Sequence, residues 1–236
     1  MEDYNKNAKR FFIYSYLNID INDIEDKDDG IMKCARRAYR DLHRTLRFNK
    51  IGLNNKENDY KQSFVTDICD SIKTEINELF DELNRNKKID DFDKEHKKIC
   101  NSILEKAEEE KDVLKEKMHY GQAQKWLNMT LKYMWLTGIW ESEFNTGNLL
   151  PELHVPVDRY IIEAVWKNKN ITLPLKGVNR NKDYKHPADK VEAWSKWEGS
   201  DYDKFQESLK QELKKEGMIP ILWENSKWIE IAKKRN

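Results

Sequence analysis

Residues 121–140 read GQAQKWLNMTLKYMWLTGIW and constrain the fold more than any other stretch of the chain. Apolar side chains recur there at Leu127, Leu131, Met134 and Trp135, which is the spacing of one face of an α-helix. Only 8 Gly and 5 Pro occur among the 236 residues, too few for the turns of a many-stranded sandwich or barrel. The sequence therefore predicts a mainly α-helical fold. Further helices are predicted at residues 31–48, 61–85, 93–117, 158–167, 187–197 and 202–216.

A shift in composition divides the chain. All 8 tryptophans follow residue 120, whereas the preceding part is dominated by charged helical patterns. We predict an amino-terminal helical region at residues 1–115 with a helical hairpin, a central region at 116–168, and an aromatic-rich helical region at 169–236. Two exceptions to the helical pattern are a short strand predicted at 171–175 and an extended segment predicted at 218–223.

The charge balance and the scattered cysteines exclude several classes of protein. The 43 Lys and Arg residues match 43 Asp and Glu residues, so an anionic partner must be held by local charge. Cys34, Cys69 and Cys100 are odd in number and widely spaced, and the histidines lack ligand spacing, so we expect buried thiols, no metal and no cofactor. No apolar run approaches the roughly 20 residues that span a bilayer. We therefore expect a cytoplasmic protein without a membrane partner.

Two short motifs carry the functional hypothesis. Residues 120–128 read YGQAQKWLN, and residues 155–158 read VPVD at the predicted start of a later helix. Together they resemble the helix-hairpin-helix DNA glycosylase superfamily, in which a Gly-hydrophobic-Gly-x-Lys hairpin joins two helices and a Val-Pro-Val-Asp segment begins another. The separation of the lysine from the aspartate is similar to that of the archaeal 8-oxoguanine glycosylase branch. Gly121 then takes the first glycine position, Ala123 the second, Lys125 the catalytic lysine and Asp158 the catalytic aspartate.

This resemblance, which covers residues 114–168, implies a two-lobed helical fold with the substrate cleft between the lobes. It also implies cleavage of an N-glycosidic bond in DNA. The carboxylate of Asp158 would stabilise positive charge on the deoxyribose, and the amine of Lys125 would attack the anomeric carbon to form a Schiff base. The base removed, the presence of lyase activity, and a role in DNA repair or in phage defence all stay open. The backbone N–H groups of Gly121, Gln122, Ala123 and Gln124 would hold a phosphate.

Two cationic patches are candidates for further DNA contacts. Arg36, Arg40, Arg44 and Arg47 form a stripe on the predicted helix at 31–48, and Arg binds phosphate bidentately. The alternative is an internal ion-pair network of these arginines with neighbouring acidic residues. Residues 159–190 carry eight Lys and Arg against three acids, with Arg159 and Lys182 as candidate contacts, and ordinary loop solvation is the alternative there.

Each candidate site residue also has a structural interpretation. Asp158 is well placed to cap a helix, and Lys125 is an ordinary solvated lysine if no active site is present. The candidate base-pocket residues Trp126, Trp135 and Trp140 would otherwise belong to the core. The alternative function is therefore a non-enzymatic helix-hairpin-helix module that binds nucleic acid or a partner protein, with phage defence as one setting.

Overall fold

A computed structural model describes residues 2–49, 56–86, 91–139 and 149–235. Within these ranges the chain forms eight α-helices and no β-strand, which confirms the predicted mainly α-helical class. Short 3-10 helices lie at His43–Thr45, Leu150–Glu152, Pro187–Lys190 and Trp194–Lys196. The α-helices are α1 (Glu2–Leu17), α2 (Lys27–Leu42), α3 (Lys56–Asn86), α4 (Phe92–Glu109), α5 (Tyr120–Thr137), α6 (Arg159–Val165), α7 (Gly199–Lys215) and α8 (Pro220–Arg235).

The helix α5 lies at the centre of the fold. It packs against α2, α4 and α7 and against the 3-10 helix at 194–196. Its residues are buried on almost every side, as expected of a helix that is apolar over most of its circumference. Gly138 follows it with a φ of 84°, a left-handed conformation that glycine adopts without strain and that ends the helix.

Small residues bring α2 close to α5. Ala35 and Ala38 of α2 are fully buried, and the indole N–H of Trp126 donates to the carbonyl of Ala35 at 2.9 Å. The buried apolar side chains form one continuous cluster that extends from Ile13 in α1 to Ile221 in α8. The division into two lobes and three regions stays a prediction.

The carboxy-terminal part differs from the sequence prediction. Residues 218–223 are not extended, because α8 begins at Pro220, and proline is well tolerated in the first turn of a helix. The helix predicted at 187–197 is instead two separate 3-10 helices, and the predicted strand at 171–175 is reduced to a single bridge from Leu175 to Val191.

The three cysteines are free and buried, as predicted. Burial raises the pKa of the Cys34 and Cys69 thiols to about 12, so both are protonated at neutral pH. None of the helices in the described ranges is both long enough and apolar enough to span a membrane.

Candidate functional site

The fold brings Lys125 and Asp158 together, although 33 positions separate them in the sequence. The ammonium nitrogen of Lys125, in the second turn of α5, lies 3.4 Å from Oδ2 of Asp158. The Lys125 side chain is 6% exposed and that of Asp158 is 19% exposed. Solvent therefore reaches this pair from the side of Asp158.

Asp158 is held by both of its carboxylate oxygens. Its Oδ1 accepts a hydrogen bond from the backbone N–H of Ile161 at 3.0 Å, which caps the amino terminus of α6 as the sequence predicts. Its Oδ2 accepts from the indole N–H of Trp228 at 3.1 Å and faces Lys125. The cap therefore fixes one oxygen and leaves the other for the charged partner.

A second lysine–carboxylate pair lies beside the first. Lys132 is two helical turns beyond Lys125 on α5, and its ammonium contacts the carboxylate of Glu224 in α8 at 2.5 Å. Glu224 is 2% exposed, and burial raises its pKa, while the ammonium groups of Lys132 and Lys125 oppose that rise. The four charged groups sum to zero in a largely buried region between α5, α6 and α8.

Two half-buried tryptophans flank the Lys125–Asp158 pair. The Lys125 ammonium lies 5.9 Å from the centre of the Trp194 ring, a cation–π distance, and Trp228 donates to Asp158. The ring of Trp228 also contacts that of Tyr160, with centroids 4.8 Å apart. Arg235 lies over Tyr160 and pairs with Glu163. The carboxy-terminal helix α8 thus supplies one wall of the site.

The predicted phosphate anchor at residues 121–124 is not accessible in this structure. These residues lie inside α5, after a ten-residue connection from α4, and all four are buried. The N–H of Gly121 donates to the carbonyl of Trp197 at 2.9 Å, and the N–H groups of Gln122 and Ala123 donate to the carbonyl of His119. A phosphate cannot reach these amides, so Gly121, Gln122, Ala123 and Gln124 do not form the predicted DNA contact.

Gly121 has a packing role that accounts for the absence of a side chain. A Cβ atom at this position would lie 1.9 Å from the carbonyl oxygen of Trp194. Gln122 donates to the carbonyl of Thr45 at 2.8 Å, and Gln124 donates to the carbonyl of Gly121. The motif therefore fastens α5 to residues 194–197 and to the 3-10 helix that follows α2.

The predicted base-pocket tryptophans are placed differently from the prediction. Trp126 is fully buried and belongs to the core, so it cannot stack on a base. Trp135 is half-buried, and Trp140 lies outside the described residues. The aromatic side chains that do contact the Lys125–Asp158 pair are Trp194 and Trp228.

The arginine stripe is divided between paired and unpaired members. Arg47 pairs with Glu116 at 3.3 Å, and Arg37, which lies next to the stripe on α2, pairs with Asp41 at 2.9 Å. Arg36, Arg40 and Arg44 are exposed and have no ion-pair partner in the parts of the chain that the structure describes. Arg36 donates to the Thr66 hydroxyl at 3.2 Å, but no carboxylate in the described ranges neutralises its charge or those of Arg40 and Arg44.

The basic loop at residues 159–190 is used partly within the protein. Arg159 pairs with Asp189 at 2.9 Å. Arg180 donates to four backbone carbonyls at the end of α6 and in the following loop, those of Val165, Trp166, Asn168 and Ile171. Lys182 is exposed. Arg159 and Arg180 are therefore engaged within the protein, so fewer cationic side chains of this segment are available to DNA than the sequence suggests.

Sequence reasoning missed Trp194, Lys132, Glu224 and Trp228. The sequence spacing could have indicated Lys132, Glu224 and Trp228. Lys132 lies seven residues after Lys125, and Trp228 lies four residues after Glu224. Each pair lies on one face of its helix. The two lysines are also the only charged residues of α5, so a shared buried partner could have been suspected.

Comparison of the chain with protein-family models, with curated proteins and with solved structures gives no match. The fold and the site together define a mainly helical protein with a buried Lys–Asp pair between three helices. No cluster of three or more metal-binding side chains occurs in the described ranges. The Lys125–Asp158 pair and its neighbours are therefore the groups with candidate chemistry.

Proposed function

We propose that the protein is a DNA glycosylase, with Lys125 as nucleophile and Asp158 as its electrostatic and acid–base partner. The observation that carries this proposal is the 3.4 Å approach of a nearly buried amine to a carboxylate 33 residues away. A nucleophile beside a fixed group that accepts its proton is the arrangement that covalent catalysis needs. The resemblance of the two motifs to helix-hairpin-helix DNA glycosylases supports the same assignment.

The proposed reaction requires two changes at the sugar. Lys125 first transfers a proton to Asp158, and its free amine then attacks C1′ of the deoxyribose. The new N–C1′ bond forms as the glycosidic C1′–N bond breaks, and the bonding electron pair leaves with the base. The departing base takes up the proton held by Asp158, and the resulting carboxylate faces the positive charge, which now lies on the nitrogen attached to C1′. Asp158 then takes a proton from that nitrogen and delivers it to O4′ as the C1′–O4′ bond breaks, which leaves a protonated Schiff base between Lys125 and C1′ and permits strand cleavage.

The surroundings of the pair suit an extruded nucleotide. Trp194, Trp228 and Tyr160 are half-buried, so part of each residue is exposed beside the Lys125–Asp158 pair. Aromatic faces of this kind stack on nucleobases irrespective of sequence. Asp158 is fixed through Ile161 and Trp228, so its carboxylate needs little reorganisation when charge develops on the sugar.

The unpaired arginines of α2 supply a candidate contact for the DNA backbone. Arg36 and Arg40 are one helical turn apart, about 6 Å along the axis, and Arg44 follows one turn later in the 3-10 helix. Because α2 packs along α5, this row lies on the helix next to the Lys125 helix. Phosphate contacts of this kind supply affinity and orientation without sequence preference.

Neutralising the arginine row should weaken DNA binding and its salt dependence. In the variant Arg36→Ala/Arg40→Ala/Arg44→Ala, three lost phosphate contacts should lower the slope of log K against log[salt] by about 3. Fluorescence anisotropy of a labelled duplex across a salt series measures this slope. Arg47→Ala is the matched control, because Arg47 is equally exposed but already pairs with Glu116, and its slope should stay near that of the wild type. Equal slopes for the triple variant and the wild type would contradict this assignment.

Incubation with duplexes that carry single damaged or modified bases tests the proposed function. The wild type should release base from at least one substrate, and borohydride should reduce the Schiff base to a stable protein–DNA adduct. Asp158→Asn should slow base release by about 10²–10³-fold at unchanged DNA affinity, because Asn retains the helix cap but loses the charge. Duplexes that contain native modified phage DNA belong in the panel.

A second candidate function, a non-enzymatic module that binds nucleic acid or a partner protein, is favoured by one observation. Lys125 and Asp158 satisfy one another, and Asp158 also caps α6, so both have structural roles without any reaction. Persistent DNA binding with no base release from any duplex, in the wild type and in Asp158→Asn alike, would support this alternative.

A further inference from the structure

A buried polar network lies beside the candidate site and is not used by the proposed reaction. His96 is 1% exposed and His154 is 8% exposed, and their ring centroids are only 4.2 Å apart. The hydroxyl of Tyr202 contacts both imidazoles. Buried polar groups are costly unless each one is paired, so a network of this size needs an explanation. Its members are Asp93, His96, Cys100, Gln124, Asn128, His154 and Tyr202.

The network joins the two chain segments that carry the Lys125–Asp158 pair. Asn128 lies three residues after Lys125 on α5, and His154 lies four residues before Asp158. Tyr202 of α7 connects them, because Nδ2 of Asn128 donates to the Tyr202 hydroxyl at 2.8 Å and that hydroxyl lies 2.9 Å from Nδ1 of His154. One hydroxyl group thus links α5 to the segment that ends in Asp158.

A neighbouring side chain of α7 reinforces the same segment. Gln206, one turn after Tyr202, accepts from the backbone N–H of Val155 at 3.2 Å and donates to the carbonyl of Val155 at 2.7 Å. Val155 and Val157 are fully buried, so the backbone between His154 and Asp158 has little freedom. The segment that ends in Asp158 is therefore fastened to α7.

The positions of the protons in the hydrogen bonds that join Asp93, His154 and Tyr202 follow from Asp93. Asp93 can only accept, so Nε2 of His154 donates to Oδ1 of Asp93 at 2.7 Å. In the neutral imidazole Nδ1 of His154 has no proton and accepts from the Tyr202 hydroxyl. The Tyr202 oxygen in turn accepts from Asn128. Each donor among His154, Tyr202 and Asn128 in this set of hydrogen bonds therefore finds an acceptor only when His154 is neutral.

The hydrogen bonds from Asn128 to Gln124 and to His96 also have a single consistent set of donors and acceptors. The other amide proton of Asn128 goes to Oε1 of Gln124 at 2.9 Å, and the Asn128 carbonyl accepts from Nε2 of His96 at 2.7 Å. Nδ1 of His96 is then free to accept from the Cys100 thiol at 3.7 Å. Every group is satisfied with both imidazoles neutral and protonated at Nε2.

We propose that this network is a positioning device that holds Asp158 against Lys125 only while His96 and His154 are both neutral. The proposal rests on the proposed function for its catalytic consequence. A proton added at Nδ1 of His154 faces the hydroxyl proton of Tyr202, and Tyr202 has no free acceptor to turn toward, because Nε2 of His96 already carries a proton. A proton added at Nδ1 of His96 meets the Cys100 thiol and a second imidazole 4.2 Å away.

The direction of the pH dependence follows from His96. Burial, together with the neighbouring His154, holds the pKa of His96 well below its ordinary value of 6.5. The folded protein then binds fewer protons than the unfolded chain below pH 6.5, so this contribution to stability is present above about 6.5 and is lost as pH falls. The titratable and charged groups around the two imidazoles are Asp93, Cys100, Tyr120, Glu152, Tyr202, Asp203 and Lys210.

Removing the central hydroxyl tests the proposal without any substrate. In Tyr202→Phe the ring packing is kept, but the link between Asn128 and His154 is lost. Urea unfolding of Lys125→Met, Asp158→Asn and the double variant gives the coupling free energy between Lys125 and Asp158. We expect this coupling free energy to fall by more than half in the Tyr202→Phe background. A structural role alone would lower stability and leave this coupling unchanged. Coupling that is absent from the wild type, or equal in the two backgrounds, overturns the proposal.

Tyr39→Phe is the matched control, because the buried Tyr39 hydroxyl has no hydrogen-bond partner in the described ranges and its ring packs on Trp126 rather than on a member of the network. It should leave the coupling intact. The wild type offers a second measurement, since histidine ring ¹⁵N shifts at pH 7.5 should show both imidazoles neutral and protonated at Nε2. A charged imidazole, or a proton on Nδ1 of either ring, overturns the proposal even if Tyr202→Phe does not fold.

The catalytic consequence has its own readout. Tyr202→Phe should lower kcat for base release by about tenfold to 10²-fold with little change in KM, because misplacement of Asp158 affects the reaction more than DNA binding. Base release by Tyr202→Phe at the wild-type kcat overturns the positioning role. If the wild type releases no base, the proposed function is wrong. The coupling and ¹⁵N measurements test the positioning role in that case as well, because they need no substrate.

Discussion

Lys125→Met should abolish borohydride trapping and lower base release by about 10³-fold or more. The change removes the amine that forms the covalent bond, and Lys132, the other lysine of α5, already pairs with Glu224 at 2.5 Å. DNA affinity should change by less than twofold, because the arginine row rather than the buried amine meets the backbone. Trapping yield, single-turnover base release and anisotropy measure the three quantities.

Lys125→Arg separates nucleophilic from electrostatic action. Arginine keeps the positive charge beside Asp158, but its guanidinium is not deprotonated in proteins and cannot form a Schiff base. We expect trapping to be lost in this variant as well. If Lys125→Arg retains the wild-type rate of base release, Lys125 acts only through its charge, and the covalent mechanism is incorrect.

The sequence predicted the pairing of Lys125 with Asp158 better than it predicted the surroundings. Helical spacing and the cap at Asp158 are local properties, and both motifs lie at the starts of helices, so their positions could be read from pattern alone. The surroundings depend on which helices pack together. Trp194 and Trp228 come from segments more than 65 residues beyond Lys125, and nothing local in those segments indicates that they meet it.

The glycine motif shows why a pattern can be right in place and wrong in role. Gly121 is required because α5 approaches the backbone of Trp194, where a Cβ atom would lie 1.9 Å from a carbonyl oxygen. Close approach to a phosphate would require glycine for the same steric reason. Only the tertiary structure distinguishes the two, since it shows the N–H of Gly121 already bonded to Trp197.

The arginine stripe had two open interpretations, and the structure gives part of each. Arg37 and Arg47 enter ion pairs, whereas Arg36, Arg40 and Arg44 have no carboxylate partner in the described ranges. Residue type is the same in both groups, and Arg47 shares the helical spacing of the three unpaired arginines. The difference lies in the carboxylates that each side chain meets, because Arg37 contacts Asp41 and Arg47 contacts Glu116.

Lys132→Met should destabilise the protein by about 3–5 kcal/mol at neutral pH. The change leaves the Glu224 carboxylate, 2% exposed, without the ammonium that now contacts it at 2.5 Å. An uncompensated buried charge is far more costly than the buried pair itself. Urea unfolding at pH 7.5, followed by tryptophan fluorescence, measures the loss. The double variant Lys132→Met/Glu224→Leu is the control, because it removes both charges and should recover most of the stability.

The destabilisation by Lys132→Met should depend steeply on pH, which distinguishes a charge effect from a packing effect. Burial raises the pKa of Glu224 above its ordinary value of 4.5, and the ammonium of Lys132 is the largest influence that opposes this rise. Without Lys132 the folded-state pKa rises further, so the folded protein binds more protons than the unfolded chain over a wider range above pH 4.5. Stability then falls as pH increases through that range. The cost of the variant should be small near pH 4.5, where the carboxyl is protonated, and full at pH 7.5. The double variant should show no such trend, and a cost that is the same at both pH values would mean that lost packing, not the unpaired carboxylate, destabilises the protein.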